Sequence, residues 1–311
     1  MKSKTGNARK GGGMKYESVR CNLCGADDYS VVYPARKAGS TEKGHFSASG
    51  NDVLLDQVVK CGKCGFVYVN PRPRGDSVVE GYSDAVDETY VSQAEGRKQT
   101  FRSCLALIEK QRPGKGRILD VGCAAGFFLQ AAKQSGWQEY GVEPSRWLAR
   151  YGREKLGLNV KAGTLKEAKF PSDYFDVVTL WDVLEHVPDP SAELREIRRV
   201  LKPGGLLVVN YPNFGSKLAR LAGRRWWFLL SVHLFYFTPH TLKAMLEGNG
   251  FEQYYSKRHF QKLSLGYLAY RFGPYSTLLQ KALTGLFSTL RLQDRQITYY
   301  ASQVLVLARK K

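Results

Sequence analysis

The sequence has no long apolar run. No segment of its 311 residues approaches the roughly 18 consecutive apolar residues that a membrane-spanning helix needs, so we do not expect an integral membrane protein. The first thirteen residues are basic and glycine-rich and lack the apolar stretch of a signal peptide. These two absences predict a cytoplasmic protein.

Acidic residues are scarce at both ends of the chain. The first thirteen residues contain four cations and no acid, and residues 214–311 contain fifteen Lys and Arg against three Asp and Glu. Most of the formal net charge of +19 therefore lies at the ends. Basic surfaces attract anions, so nucleotide diphosphates, RNA and anionic lipid are the predicted partner classes, with a merely solvated basic face as the alternative.

Four of the six cysteines form two Cys-x-x-Cys pairs, Cys21 with Cys24 and Cys61 with Cys64, separated by thirty-six residues. Two such pairs supply the four thiolates of a tetrahedral zinc site, and four protein ligands leave no position for a substrate. A disulfide or a redox motif is the alternative. A reducing compartment disfavours the first, and neither pair opens a helix after a strand as a redox motif does. We predict structural Zn²⁺.

A nucleoside-binding pattern begins at Gly116. A short apolar strand is followed by a glycine-containing turn and an amphipathic helix, and a second strand ends at Glu143, twenty-three residues after Asp120. In a βαβ unit of this layout the acid accepts hydrogen bonds from ribose hydroxyls. The segment therefore predicts a site for a nucleoside cofactor.

The turn itself narrows the choice of cofactor. A dinucleotide fingerprint that starts at Gly122 needs glycine two and five residues later, where this chain has Ala124 and Phe127. The ring of Phe127 obstructs the close approach of a pyrophosphate to the start of the helix. S-adenosylmethionine (SAM) has no pyrophosphate, so it needs only a turn that lets its methionine and ribose parts pass close to the backbone.

Four segments together resemble a family. They are Leu119–Gly126 (LDVGCAAG), Gly141–Ser145 (GVEPS), Phe175–Val187 (FDVVTLWDVLEHV) and Val200–Leu206 (VLKPGGL). In order and spacing they are similar to class I SAM-dependent methyltransferases over about residues 100–260. The resemblance implies an α/β fold with a Rossmann-like seven-stranded sheet and SAM as cofactor. Ala124 departs from the glycine that is more usual in the cofactor loop.

The N-terminal part has a resemblance of its own. The run from Cys61 to Pro73 is similar to a zinc module that precedes this domain in several bacterial members, including sugar C-methyltransferases. The predicted organisation is a disordered basic tail over 1–14, a zinc-binding module over 15–80, a helical linker over 81–112, the methyltransferase domain over 113–261, a helical insertion or lid over 262–295, and a final strand of that domain over 296–311.

The resemblance also assigns a cofactor site. Within it, the loop residues would shape the methionine and ribose region, Glu143 would hold ribose hydroxyls, and Thr164 and Leu165 would lie near adenine. The implied cofactor-binding residues are Asp120, Gly122, Cys123, Ala124, Gly126, Glu143, Thr164, Leu165, Trp181 and Asp182.

Methyl transfer needs a positioned acceptor and, where required, a group that removes its proton. His186 is the leading candidate base because an imidazole pKa near 6.5 suits this task, with Glu185 or Asp182 fixing its tautomer. Similar Glu-His pairs occur in sugar C-methyltransferases. In ubiquinone-pathway O-methyltransferases a comparable set is associated with Mg²⁺, which would map to Asp182, Glu185 and His186. A packing role for His186 is the remaining alternative, and His233 is the second candidate base.

The C-terminal third is expected to bind the acceptor. Residues 224–237 place aromatic side chains next to arginines, a composition that suits an acceptor pocket or a membrane surface. The insertion over 262–295 is interpreted as a lid, a dimer surface or an interfacial anchor, with core packing as the alternative. The oligomeric state stays open, and peripheral membrane contact is one prediction.

The predicted function is SAM-dependent methyl transfer to a small anionic or lipid-linked acceptor, favouring a nucleotide sugar or glycan precursor methylated on oxygen or carbon. An RNA methyltransferase is the first alternative, although the sequence has no recognised RNA-binding motif. An inactive, zinc-dependent scaffold protein is the second. The intact Asp120, Gly122, Gly126 and Glu143 argue against inactivity.

Overall fold

The computed structural model describes residues 16–36, 54 and 56–311. The predicted tail over 1–14 and part of the predicted zinc-binding module lie outside these residues. Among the described residues, no helix is both long enough and apolar enough to span a membrane.

The N-terminal residues form a small β-structure. Its strands are β1 (Tyr16–Glu17), β2 (Tyr29–Tyr33), β3 (Val58–Cys61), β4 (Val67–Val69) and β5 (Arg72–Pro73). Strands β2, β3 and β4 pair antiparallel, and β1 pairs with β5. Three helices then lead to the central sheet: α1 (Gly75–Ser83), α2 (Glu88–Ser92) and α3 (Ala94–Gln111).

The central sheet has seven strands. The strands that follow α3 along the chain are β6 (Arg117–Val121), β7 (Gln138–Glu143), β8 (Val160–Ala162), β9 (Phe175–Trp181), β10 (Leu201–Pro212), β11 (Phe235–Tyr236), β12 (Phe251–Arg258), β13 (Gln261–Ser264), β14 (Gln296–Tyr299) and β15 (Gln303–Lys310). The sheet order is β12-β15-β10-β9-β6-β7-β8. Its five-strand part from β10 to β8 is parallel, and β15 joins antiparallel to both of its neighbours.

The resemblance to class I SAM-dependent methyltransferases implies this sheet, and the burial of its central strand agrees with that expectation. Strand β9 is almost entirely buried, as expected where helices cover both faces of a sheet. The helices that follow α3 along the chain are α4 (Phe127–Gln134), α5 (Arg146–Leu156), α6 (Leu165–Ala168), α7 (Pro190–Val200), α8 (Lys217–Ala222), α9 (Pro239–Gly248), α10 (Leu265–Tyr270) and α11 (Thr277–Thr289). The predicted Rossmann-like seven-stranded fold is confirmed.

Two helices begin at a side-chain cap that is followed by proline. The Asp189 side chain accepts a hydrogen bond from the Ala192 amide at the start of α7, and Thr238 accepts one from the Thr241 amide at the start of α9. Each helix has proline at its first position, where no amide hydrogen is needed. The face of α7 that carries Leu194 is fully buried, which contributes about 1.5–3 kcal/mol for each large apolar side chain.

The prediction of one final strand over 296–311 is wrong. Residues 296–299 form β14, which pairs with β13 outside the central sheet, and the sheet strand β15 begins only at Gln303. Ser302 has a left-handed φ of 72°, which no continuous strand accommodates. The chain therefore makes a turn between the insertion and the sheet.

The N-terminal β-structure packs against the central domain. Strand β11 pairs with β4, and the Phe66 ring stacks on Phe235 with centroids 5.6 Å apart. Phe66 and Tyr68 belong to the same buried cluster as Leu184 and Tyr211. The two parts therefore share one hydrophobic core.

Candidate active site

The loop between β6 and α4 requires residues that tolerate unusual backbone angles. Gly122, Ala124 and Gly126 have φ values of 68°, 48° and 85°, all in the left-handed region that favours glycine. A Cβ on Gly122 would lie 2.7 Å from Cγ2 of Val183, and a Cβ on Gly126 would lie 2.5 Å from Cδ1 of Leu158. The loop can therefore bring bare backbone up to a ligand.

Glu143 ties this loop to the end of β7. Its carboxylate accepts hydrogen bonds from the backbone amides of Ala124 and Ser145, both at 2.8 Å. Burial raises the pKa of Glu143 to about 7, although the two amide bonds act in the opposite direction. Each carboxylate oxygen retains a second lone pair, so the group can still accept ribose hydroxyls.

Asp120 lies beneath the loop at the end of β6. The hydroxyl of Thr179 on β9 donates a hydrogen bond of 2.7 Å to its carboxylate. Burial raises the pKa of Asp120 well above its ordinary value. On the other side of β7, Thr164 caps α6 and exchanges hydrogen bonds with Glu167, which fixes the position of Leu165.

One cavity collects nearly all of the predicted cofactor residues. Those that line it are Asp120, Gly122, Cys123, Ala124, Glu143, Thr164, Leu165, Trp181 and Asp182. Gly126 does not line the cavity and instead precedes the first residue of α4, so its place in the structure is that of a turn residue. The predicted catalytic residues Glu185, His186 and His233 line the same cavity.

Asp182 is held by amide side chains. Its carboxylate accepts hydrogen bonds of 2.7 Å from Asn210 and from Gln303, and burial raises its pKa to about 6. Asn210 is itself part of β10, which extends to Pro212. The strand continues because residues 210–212 pair with β15.

Glu185, His186 and His233 meet at the acceptor end of the cavity; we call them the acceptor trio. Their candidate ligand atoms lie within 4.8 Å of one another, and the two imidazole centroids are 4.5 Å apart. Glu185 is 1% exposed, and neither of its carboxylate oxygens has a hydrogen-bond partner within the described part of the chain. Burial raises the pKa of Glu185 well above its ordinary value.

The hydrogen bonds of His186 define its tautomer. Nδ1 lies 3.0 Å from the carbonyl oxygen of Val232 and 2.8 Å from the hydroxyl of Tyr82. Because a carbonyl only accepts, Nδ1 carries the proton and Nε2 keeps a free lone pair. The prediction that Glu185 or Asp182 fixes this tautomer is therefore wrong, since Val232 does so. Burial lowers the pKa of His186 to about 4.

His233 is oriented in a similar way. It is 3% exposed and hydrogen-bonds the backbone of Phe228, and its pKa is lowered well below the ordinary value by burial and then by neighbouring His186. The structure groups Glu185 and His186 with His233 and not with Asp182. The set mapped from a Mg²⁺ site is thus not the set that comes together here.

Several cavity residues were missed by the sequence reasoning. The guanidinium of Arg97 on α3 lies 3.8 Å from the Tyr90 ring centroid, and its Nε is buried without a hydrogen-bond partner among the described residues. Further residues of the cavity wall come from the insertion, which supplies Lys262, Tyr267, Leu268 and Arg271, and from its flanks, which supply Gln261 and Tyr299. For these missed residues the sequence offered one local signal, which is the polar Gln303 at the start of an otherwise apolar strand.

The four predicted zinc ligands are brought together. Sγ of Cys21 lies 3.5 Å from Sγ of Cys64, and Sγ of Cys24 lies 3.6 Å from Sγ of Cys61. These separations exceed the S–S bond of about 2.05 Å of a disulfide and approach the roughly 3.8 Å expected between thiolates at 2.3 Å from a tetrahedral zinc. The geometry and the chemistry of the donor set fit zinc.

Comparison with known proteins places the chain in a family. Residues 93–256, more than half of the chain, match the family described as "Methyltransferase domain". A ubiquinone biosynthesis O-methyltransferase of Bradyrhizobium sp. is 38% identical over 111 residues, 34% of this chain and 44% of the relative. The corresponding enzyme of Coxiella burnetii is 31% identical over 134 residues, 40% of this chain and 57% of the relative. The chain thus spans about half the length of these relatives.

Solved structures agree in fold. A chain from a complex that contains the Haloferax volcanii Trm112 methyltransferase activator has a TM-score of 0.50 at 14% identity, covering 72% of this chain and 95% of that chain. A SAM-dependent methyltransferase from Thermotoga maritima has a TM-score of 0.49 at 21% identity, covering 72% and 94%. The family match over residues 93–256 shows that the chain belongs to the methyltransferase domain family.

Proposed function

We propose that the enzyme transfers the SAM methyl group to a small anionic or lipid-linked acceptor whose reacting atom lies over the acceptor trio. The observation that carries this proposal is that one cavity contains both the cofactor loop and the trio. A nucleotide sugar or glycan precursor is the favoured acceptor class. The relatives described above are O-methyltransferases, which favours oxygen over carbon as the methylated atom.

The cofactor half of the cavity fits SAM. The left-handed loop exposes backbone, and the free lone pairs of Glu143 suit two ribose hydroxyls. Arg97 brings an incompletely paired guanidinium to the cavity wall, where it suits the carboxylate of the methionine part. Bound SAM supplies a methyl group on a positive sulfur, so the protein mainly has to orient the acceptor.

His186 is the proposed proton acceptor. Its Nδ1 proton is held by the Val232 carbonyl, so Nε2 is free to take a proton from the acceptor. The imidazolium that forms has the carboxyl group of Glu185 beside it, and a carboxyl oxygen that has no other hydrogen-bond partner among the described residues can accept a hydrogen bond from that cation. His233 flanks the pair and is the second candidate for the same step.

The acceptor half of the cavity is basic as well as aromatic. Arg271 and Lys262 reach the wall from the insertion, while Trp227 and Phe228 line it from the segment after β10. Cationic groups near aromatic faces suit an acceptor that has a phosphate or carboxylate and an apolar or sugar part. This composition supports an anionic acceptor over a neutral one.

The N-terminal β-structure supports the acceptor side in this proposal, with zinc at the four cysteines as its structural cation. Strand β4 pairs with β11, which begins two residues after His233. The Arg72 guanidinium also donates a 2.7 Å hydrogen bond to the Pro188 carbonyl, close to His186. The zinc module thereby braces both segments that contribute histidines to the acceptor trio.

Labelling tests the acceptor class. Purified enzyme is incubated with methyl-labelled SAM and cell extract, and the extract is then fractionated with and without RNase. We expect the label in RNase-resistant small or lipid-linked material, because the acceptor trio lies inside a cavity and the sequence has no recognised RNA-binding motif. Label that disappears with RNase would replace this proposal with the RNA methyltransferase alternative. No transfer to any fraction, together with no SAM binding, would favour the inactive scaffold.

The pH dependence tests the role of His186. The imidazole acts in its neutral form, so activity is lost as the pH falls through its pKa, and burial holds that pKa at about 4. We expect kcat/KM to stay constant from about pH 8 to about pH 6, where an imidazole with the ordinary pKa of about 6.5 would lose roughly three quarters of its activity. SAM is kept saturating at each pH, because Glu143 titrates near 7. An activity limb centred near 6.5 would contradict the proposal.

A further inference from the structure

Helix α11 has two apolar faces, and only one of them is packed. All thirteen of its residues are exposed or half-buried. The half-buried positions are Gln280, Leu283 and Phe287, which recur at the spacing of one helix face and mark the side that lies against α10. Packing against α10 therefore leaves the rest of the helix open.

The open side of α11 has a stripe of leucines. Leu278 is 79% exposed, Leu279 43%, Leu286 51% and Leu290, immediately after the helix, 56%. At about 100° per residue these positions fall within an arc of roughly 120°, with Ala282 between them. Scattered exposed leucines are common, but a continuous stripe of this length on one helix indicates a binding surface.

The charge around the stripe favours an anionic occupant. Residues 277–295 contain three cations, Lys281, Arg291 and Arg295, and one acid, Asp294. A second copy docked face to face would bring two positive surfaces together, because such an interface joins the same patch of both copies. Leucines flanked by Lys and Arg instead match a bilayer with anionic headgroups, where apolar side chains enter the acyl boundary and cations remain at the phosphates.

Helix α8 also combines basic residues with exposed leucines. Its sequence is KLARLA, and Leu221 is 88% exposed and Leu218 47%. The segment that follows α8 packs on the insertion, because the Trp227 ring lies 5.4 Å from Phe272 and Arg271 donates a hydrogen bond to the Trp227 carbonyl. Helices α8 and α11 are distant in the sequence, but they belong to segments that pack together. Both helices have exposed leucines beside basic residues.

We infer that α11, assisted by α8, forms a face that docks on an anionic lipid bilayer. Helix α10 links this face to the acceptor side, because Tyr267, Leu268 and Arg271 line the cavity. A lipid-linked acceptor could therefore pass from the bilayer into the site without leaving the protein surface. This last step rests on the proposed function, whereas the docking itself does not.

Vesicle binding tests the inference. The full chain is sedimented with vesicles of phosphatidylcholine alone and of equal parts phosphatidylcholine and phosphatidylglycerol. We expect binding to the mixed vesicles, weakening with salt, and a loss of at least about tenfold in partitioning for the Leu278→Asn/Leu286→Asn/Leu290→Asn variant. Val31→Asn, which replaces a 50% exposed valine on β2, is the matched control and should bind as the unchanged protein does.

The outcomes are separable. Equal partitioning of the triple variant and the unchanged protein overturns the docking face, as does the absence of binding to the mixed vesicles. A dimer in solution that the triple variant abolishes would assign the stripe to a second copy instead. SAM affinity of the variant is measured in parallel, and Leu286→Asn alone repeats the test if the triple variant has lost it. If the enzyme transfers no methyl group to any acceptor but still binds vesicles, the proposed function is contradicted and the docking face is not.

Discussion

Replacing His186 with alanine should lower methyl transfer by about 100-fold or more, with SAM affinity changed less than about twofold. A positioned general base contributes roughly 10²- to 10⁴-fold to the rate, and the Nε2 lone pair of His186 is the one that its hydrogen bonds leave free. The predicted SAM contacts, Glu143 and the loop at Gly122, lie at the ends of β7 and β6 and do not include the acceptor trio. Turnover with labelled SAM and calorimetric SAM binding separate the two effects.

The controls for this variant come from the same chain. His240→Ala removes an exposed imidazole on α9 and should leave turnover unchanged. His186→Ala turnover within twofold of the unchanged enzyme would remove His186 from the role of base. A large loss for His233→Ala alone would transfer that role to His233. Loss of activity in EDTA, restored by Mg²⁺, would show that the acceptor trio acts through a cation and not as a free base.

Removing zinc should unfold the N-terminal β-structure and reduce turnover while leaving SAM binding largely intact. Four thiolates at the observed separations lose their common cation on chelation, and for structural sites the metal-binding free energy is folding free energy. The cofactor loop is built on β6 and β7, which belong to a different sheet from the strands of the module. Unfolding of the module should disturb the acceptor trio, because β4 pairs with β11 next to His233.

Metal analysis and hydrogen exchange check this result. We expect one zinc per chain, lost in Cys61→Ser, with rapid amide exchange in β2, β3 and β4. Cys104→Ser is the matched control, because Cys104 is buried in α3 away from the four-cysteine group and should retain zinc. A chain that keeps its exchange protection after complete removal of zinc would contradict a structural site. Loss of SAM affinity on chelation would contradict the separation of the two regions.

The zinc prediction also has a consequence for stability. Phe66 and Tyr68 are fully buried in the core that includes Leu184 and Phe235. Unfolding of the β-structure would expose these rings, each worth about 1.5–3 kcal/mol of burial. The thermal transition of the whole chain should therefore shift downward on chelation, and not only that of its N-terminal part.

The local features of this protein were determined by the sequence. The turn at Gly122, the caps at Asp189 and Thr238, the buried strand β9 and the paired cysteines depend on backbone angles and spacing within a few residues. Steric limits on φ and the periods of helix and strand operate at that range, so the cofactor loop could be predicted from the residues, whereas the seven-stranded sheet was implied by the resemblance to class I methyltransferases.

Only the tertiary structure decided how the acceptor end is assembled. Val232 fixes the tautomer of His186 from forty-six positions along the chain, and His233, not Asp182, completes the acceptor trio. Arg97 reaches the cavity because α3 packs beside it, and residues 296–299 leave the sheet to pair with β13. Such contacts depend on how separate segments pack together, and packing leaves no local pattern in the residues that take part.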